Sequence, residues 1–95
     1  MPTRTRHDLS ADAWLRQAER DLRAAEHLLA GGFFPHATVI AHLAVEKALK
    51  GAYRARLDRH PPVSHNLQYL AERINLTVPA DLRAALDLLS DESIL

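Results

Sequence analysis

The sequence predicts an all-α protein, folded as an antiparallel bundle of four to five helices in an up-and-down topology. Alanine and leucine supply 16 residues each, whereas valine and isoleucine together supply seven. Alanine and leucine are strong helix formers, and β-branched residues favour strands, so the composition favours helices. Glycines and prolines then divide the chain into segments of helical length. We expect a flexible tail at residues 1–8 and a single helical domain at residues 9–95.

The first predicted helix begins after a cap at Ser10 or Asp8 and ends at Gly31-Gly32, a strong helix stop. Within it, apolar residues recur at spacings of three and four, which predicts one buried stripe. The stripe consists of Trp14, Ala18, Leu22, Ala25 and Leu29.

The second predicted helix begins near Pro35, a residue suited to a first helical turn, and runs to about Asp58. It carries two lines of apolar residues, which predicts that it packs against neighbours on two sides. The central helix of a bundle and a helix at a dimer interface both pack in this way. We therefore expect a homodimer. One line is small (Ala37, Ala41, Ala44, Ala48, Ala52 and Ala55), and the other is bulkier (Val45, Leu49, Tyr53 and Leu57).

The Pro61-Pro62 pair predicts a loop, because proline lacks a backbone donor and restricts the residue before it. Ser64 is then expected to cap a third helix that ends near Ile74, with Leu67, Leu70 and Ile74 facing inward. A turn at residues 75–79 and a fourth helix at about residues 80–89 follow. Residues 90–92 resemble the cap of a fifth helix that the chain barely begins.

Composition excludes several classes of protein. Twelve basic and twelve acidic residues balance, which argues against a wholly basic nucleic-acid binder, and the absence of cysteine excludes disulfides and thiolate zinc sites. No apolar stretch is long enough for a membrane span and no signal sequence is present, so we expect a cytoplasmic protein with no membrane contact. No motif indicates a metal or a cofactor, and we expect neither.

Charge is unevenly distributed along the chain. The segment from Lys47 to His60 contains five basic residues and one acid. Lys47, Lys50 and Arg54 share a helix face at spacings of three and four, and clustered positive charge suits a phosphate-bearing ligand. The alternative is a solvated helix face on which Lys50 pairs with Glu46, one turn earlier.

Two of the six histidines are candidate functional residues. His42 and Glu46 lie one helical turn apart, a spacing that could hold a metal, but no third ligand follows. We expect His42 to lie at the edge of the apolar face and to bond a neighbouring residue instead. His65 follows the expected cap Ser64 and lies near the positive end of a helix. It could anchor the loop through a backbone hydrogen bond or act in proton transfer.

Two motifs in combination carry a family resemblance. The run from Glu46 to Lys50 (Glu-Lys-Ala-Leu-Lys), followed by Ser64 to Leu67 (Ser-His-Asn-Leu), resembles HEPN domains (higher eukaryotes and prokaryotes nucleotide-binding). The resemblance covers about residues 12–90. The first-helix residues Trp14, Ala18, Asp21-Leu22 and Ala25, then Gly32-Phe33 and Ala37, also fit.

The resemblance implies a small helical bundle, usually dimeric. Many such domains are encoded beside a minimal nucleotidyltransferase, with which they form toxin–antitoxin or nucleotide-handling pairs. It therefore implies a two-component function in which the basic helix face, Lys47, Lys50 and Arg54, binds nucleotide or RNA. The alternative is a non-catalytic, dimeric interaction module.

The resemblance also suggests a catalytic possibility. Many HEPN domains are metal-independent endoribonucleases with an arginine, four to six residues and then a histidine. Arg54 with His60, and Arg59 with His65, match this spacing. Relatives usually continue through a further helix, which this chain lacks, so we expect the isolated chain to be inactive as a ribonuclease.

Overall fold

The computed structural model describes residues 9–76, which contain three helices and no strand. Helix α1 spans Ala11–Ala30, α2 spans Phe34–Leu57 and α3 spans Leu67–Arg73. The all-α prediction is confirmed for this part of the chain. The expected tail at residues 1–8 and the expected fourth and fifth helices lie outside the described residues, so a bundle of four to five helices stays a prediction.

Helix α1 has clear local signals at both ends. Ser10 is the N-cap, and its Oγ accepts a hydrogen bond from the Ala13 amide at 3.1 Å. At the other end Gly32 takes a left-handed φ of +85°, and the Phe33 amide donates to the Leu28 carbonyl. The predicted cap and stop are both confirmed.

Helices α1 and α2 form an antiparallel hairpin joined by residues 31–33. Pro35 lies in the first turn of α2, where its missing amide proton is not needed. Asp58 ends α2 in a left-handed conformation, φ 50°, and its amide donates to the Arg54 carbonyl. Within the described residues, no helix is both long and apolar enough to cross a membrane.

The third helix begins later than the sequence predicted. Ser64 is not its cap, because the Ser64 Oγ accepts a hydrogen bond from the Asn66 amide in a local turn. Asn66 caps α3 instead, with its side-chain oxygen accepting from the Tyr69 amide at 3.0 Å. Both Ser and Asn are good caps, so residue type alone did not distinguish them.

The main hydrophobic core lies between the C-terminal half of α2 and α3. The predicted inward residues Leu67, Leu70 and Ile74 are confirmed, at 0%, 0% and 3% exposure. Leu49 and Tyr53 of the bulkier α2 line are buried against them, whereas Leu57 at the end of that line is exposed. This core fixes α3, and the segment that leads into it, against α2.

The predicted buried stripe of α1 is partly wrong. Ala18 and Ala25 are buried, but Leu22 is 50% exposed and Leu29 is 56% exposed. The small alanines allow α2 to approach closely, so the larger leucines lie at the edge of the helix pair. Among the alanines of α2, Ala37 and Ala44 are buried and Ala55 is exposed.

Candidate functional site

A buried carboxylate lies at the centre of a polar cluster between α2 and the segment before α3. Glu46 is 5% exposed, and its two oxygens have different partners. Lys50 Nζ donates to Oε2 at 3.0 Å, and His65 Nδ1 donates to Oε1 at 2.6 Å. The Glu46–Lys50 pair of the alternative interpretation is therefore present, but the solvated face expected with it is wrong, because both residues are buried. We call Glu46, Lys50, His42 and His65 the Glu46 cluster.

His42 holds the backbone of the same segment. Its ring is fully buried, and Nε2 donates a hydrogen bond to the carbonyl oxygen of His65 at 2.9 Å. Its Nδ1 lies 3.9 Å from the Glu46 Oε1 and has no hydrogen-bond partner within the described residues. His65 is thus held twice, through its carbonyl by His42 and through its ring by Glu46.

His65 does not open a helix, contrary to the sequence interpretation, because it precedes the Asn66 cap. Its side chain is 67% exposed although its Nδ1 contacts a buried carboxylate. A carboxylate accepts hydrogen bonds and cannot donate them, so the proton of a neutral His65 ring belongs on Nδ1. The remaining nitrogen, Nε2, then carries a lone pair on the solvent side.

The three cations that the sequence assigned to one phosphate-binding face have different carboxylate partners in the structure. The Lys47 Nζ lies 2.7 Å from Oδ2 of Asp21 in α1, and the Lys50 Nζ lies 3.0 Å from Oε2 of the buried Glu46. Arg54 lies 3.4 Å from Asp58, whose side chain is 95% exposed. An ion pair this exposed is screened by water and is weak. The charges of Lys47 and Lys50 are compensated within the domain, whereas that of Arg54 is available.

Two further arginines lie near Arg54. The Arg56 guanidinium donates to the Ile74 carbonyl, a neutral acceptor, and has no ion-pair partner among residues 9–76. Arg59 is exposed and has no ion-pair partner among residues 9–76. We call Arg54, Arg56 and Arg59 the α2 terminal arginines. They occupy the last turn of α2 and the residues directly after it.

The two Arg–His pairs that match the ribonuclease spacing lie at the end of α2 and in the segment after it. Arg54 is in α2, whereas His60 and Arg59 are exposed in the segment between α2 and α3. His65 lies in the same segment. The catalytic roles of both pairs remain proposals. Among residues 9–76, no three His, Asp or Glu side chains are arranged to hold a metal ion.

Sequence reasoning missed the contact between Glu46 and His65. It paired Glu46 with its helical neighbours, Lys50 and His42, because spacings of four residues are visible in a sequence. The His65 contact spans 19 residues and depends on how the Pro61-Pro62 loop returns to α2. The available signal was that the two motifs carrying the family resemblance contain Glu46 and His65 respectively.

Comparison with known proteins shows to which family a chain with this arrangement belongs. The model of the HEPN domain matches residues 11–95, nearly the whole chain and all of the site described above. The chain belongs to the HEPN family. Searches of curated proteins and of solved structures gave no match. The resemblance seen in the two motifs is confirmed, and in this HEPN domain those motifs meet at the Glu46 cluster.

Proposed function

We propose that this HEPN domain binds the phosphate groups of RNA or of a nucleotide and works with a nucleotidyltransferase in a two-component system of the toxin–antitoxin type. The observation that carries the binding proposal is the set of α2 terminal arginines. Three guanidinium groups fall within six residues, and Asp58 is the one acid among them. Guanidinium groups match phosphate oxygens in charge and in hydrogen-bond geometry.

The three residues of the predicted basic face, Lys47, Lys50 and Arg54, should contribute unequally to phosphate binding. Arg54 can exchange a weak, exposed carboxylate for a phosphate. Lys47 would have to leave Asp21, and Lys50 would have to leave a buried carboxylate, which is costly. We therefore expect Arg54 and Arg59 to contribute most of the electrostatic attraction.

Binding to labelled single-stranded RNA, measured by fluorescence anisotropy over a range of salt concentrations, tests the proposal. Arg54→Gln combined with Arg59→Gln should weaken binding and flatten the slope of log affinity against log salt, because fewer counterions are released. Lys47→Gln removes one charge that is already compensated, and serves as the control. Parent-like binding by the double variant would overturn the proposal.

The proposal of a nucleotidyltransferase partner is supported by family membership alone, and it is tested separately from phosphate binding. We expect a nucleotidyltransferase gene beside the gene for this chain, and we expect the two products to co-purify as a complex when they are co-expressed. A neighbourhood without such a gene, or separate elution of the two proteins in gel filtration, would contradict the pairing.

The second candidate function is a dimeric interaction module, favoured by an apolar face along the α1–α2 hairpin. Leu15, Leu22 and Leu29 follow one another at seven-residue spacing on α1 and are 44–56% exposed. Two clefts run beside them and share Leu22 as a lining residue. Their lining on α2 consists of Phe34, Ala37, Thr38, Ala41, Ala44, Val45 and Ala48.

We propose that a second copy of the chain covers this face, because a seven-residue apolar repeat suits packing between helices. Sedimentation of the parent at micromolar concentration should show a dimer, and Leu22→Glu should convert it to monomer. Ala24→Glu introduces the same charge at an exposed position nearby and should leave the dimer intact. A monomeric parent would refute the homodimer.

A further inference from the structure

Helix α1 carries two rows of charged side chains beside the exposed leucines of the α1–α2 hairpin. In an α-helix of 3.6 residues per turn, residue i+4 lies about 40° around the axis from residue i, and residue i+1 lies about 100° in the same direction. Counted away from the buried Ala18 and Ala25, the leucines are therefore followed by an acidic row and then by a basic row. The acidic row is Glu19 and Glu26, and the basic row is Arg16 and Arg23.

These charged rows lack partners within the described part of the domain. All four side chains are exposed, and none of them forms an ion pair among residues 9–76. Asp21, on the side of α1 that faces α2, is by contrast paired with Lys47. Glu19 and Glu26 each line one of the two clefts that border the leucines, so their carboxylates lie at the margin of the apolar face. A surface that covers this face meets negative and then positive charge, and a complementary surface carries both.

A second copy of α1 carries the complementary charges when it runs in the opposite direction. In a parallel pair, the two-fold axis lies along the helices and places the charged rows of the two copies on opposite edges of their contact. In an antiparallel pair, the axis is perpendicular to the helices and places all the rows on one edge. Because both rows have a seven-residue spacing, one register then brings Arg16 to Glu26 of the second copy and Arg23 to Glu19 of the second copy. The two-fold symmetry repeats both ion pairs.

We infer that two copies of the domain associate through antiparallel α1 helices, and that ion pairs between the acidic row of one copy and the basic row of the other select this orientation. The inference rests on the proposed homodimer and adds its geometry and the residues that determine it. The leucines supply apolar contact in either direction. Ion pairs at the rim of an interface add little affinity, but like charges placed opposite each other are strongly unfavourable. The charged rows therefore act on orientation and specificity.

The direction of α1 in the dimer can be measured with spin labels, because the chain contains no cysteine. Arg20→Cys and His27→Cys each introduce one labelling position on the exposed surface of α1. In the antiparallel register, the two labels of a dimer are separated along the helix axis by about 3 Å at residue 20 and by about 18 Å at residue 27. Double electron–electron resonance should therefore give a longer distance at residue 27. Equal distances at the two positions indicate a parallel pair and would overturn the inference.

Charge reversal tests which residues select the dimer. One double variant, Glu19→Arg with Glu26→Arg, makes both rows basic, and the other, Arg16→Glu with Arg23→Glu, makes both rows acidic. Sedimentation of each variant alone should show a dimer dissociation constant raised about tenfold or more, because like charges then face each other. An equimolar mixture should form a heterodimer at least as tightly as the parent dimerises. That recovery also shows that both variants fold.

These results separate the inference from the proposed homodimer. A monomeric parent would overturn both. A parent dimer whose dissociation constant is unchanged in both double variants would leave the homodimer intact and overturn the role of the charged rows, as would weakening without recovery in a mixture of folded variants. Ala24→Glu, whose charge lies outside both rows, is the control and should dimerise as the parent does. If neither double variant folds, the spin-label distances still decide the orientation.

Discussion

Gly51 of α2 lies directly against Trp14 of α1. A Cβ atom placed on Gly51 would stand 3.1 Å from the Trp14 Cβ and 3.3 Å from the Ala11 carbonyl oxygen. Both neighbours are tied to the backbone of α1, so they cannot move without the helix. The absence of a side chain at residue 51 therefore sets how closely the two helices approach at this end of the hairpin.

Gly51→Ala should destabilise the domain by about 1–3 kcal/mol, because overpacking outweighs the gain of up to about 1 kcal/mol in helix propensity. Chemical denaturation measures the change. Trp14 is the single tryptophan of the chain, so its fluorescence reports the local shift. Gly32→Ala is the control: it strains a positive φ with nothing within 4 Å, and should leave the emission of the folded state unchanged. Equal or greater stability of Gly51→Ala would contradict this packing.

Removing Glu46 should be far more damaging than removing a more exposed acid. Glu46→Ala leaves the charge of Lys50, itself 8% exposed, without its carboxylate, and should destabilise the domain by about 3–5 kcal/mol. Asp21→Ala breaks the more accessible pair with Lys47 and should cost about 1 kcal/mol or less. Urea unfolding of both variants measures the difference, and similar losses would show that the Glu46 cluster is not a buried ionic centre.

Two leucines of different burial test the assignment of the core. Leu70 is fully buried, so Leu70→Ala should lower the free energy of unfolding by about 2–5 kcal/mol. Leu22 is half exposed, and Leu22→Ala should change the free energy of unfolding of the monomer by much less. Its effect should appear in the dimer dissociation constant measured by sedimentation. A large loss of monomer stability in Leu22→Ala would place that residue in the core.

We predict that the 95-residue chain cleaves no single-stranded RNA in EDTA. Such cleavage needs a base for the 2′-hydroxyl, an acid for the leaving oxygen and a cation on the phosphate. Arg54 is held only weakly by Asp58 and can supply the cation, but the one free ring nitrogen of His65, Nε2, can serve as base or as acid and not as both at once. Cleavage products from parent, His60→Ala and His65→Asn, each with a thermal melt, test this.

Cleavage by the parent would contradict that prediction and would also locate the site. Loss of an essential proton-transfer group costs about 10²- to 10⁴-fold in rate. Such a loss in His60→Ala, with an unchanged melt, would assign catalysis to Arg54 and His60. The same loss in His65→Asn would assign it to Arg59 and His65.

The sequence predicts the helices well because their ends carry local signals. Ser10, Gly32 and Pro35 act through hydrogen bonds and φ angles of their own neighbourhood, so residue type suffices to find them. The cap of α3 was assigned to Ser64 instead of Asn66 because two good capping residues lie close together. The packing of Leu67 and Leu70 against α2 is consistent with a helix that begins after Asn66.

Side-chain partners are harder to predict when they come from different elements. Lys50 was expected either to bind phosphate or to pair with Glu46, and the sequence shows the second possibility because one helical turn separates the two residues. Lys47 was expected to face a ligand, but it reaches Asp21 on α1, and the distance between those two side chains follows from the helix pairing. The exposure of Leu22 follows from the same pairing, which places Ala18 and Ala25 at the centre of the contact.

The double anchoring of His65 has a consequence for the kinetics of recognition. Because His42 holds its carbonyl and Glu46 holds its ring, the entropy of ordering this residue is lost during folding and not during binding. A ligand bound beside this segment would therefore meet a preorganised backbone and ring, and its association would need no rearrangement of the segment. The association rate should depend on diffusion and on the charge of the arginines, whereas loss of a contact to His65 should act on the dissociation rate.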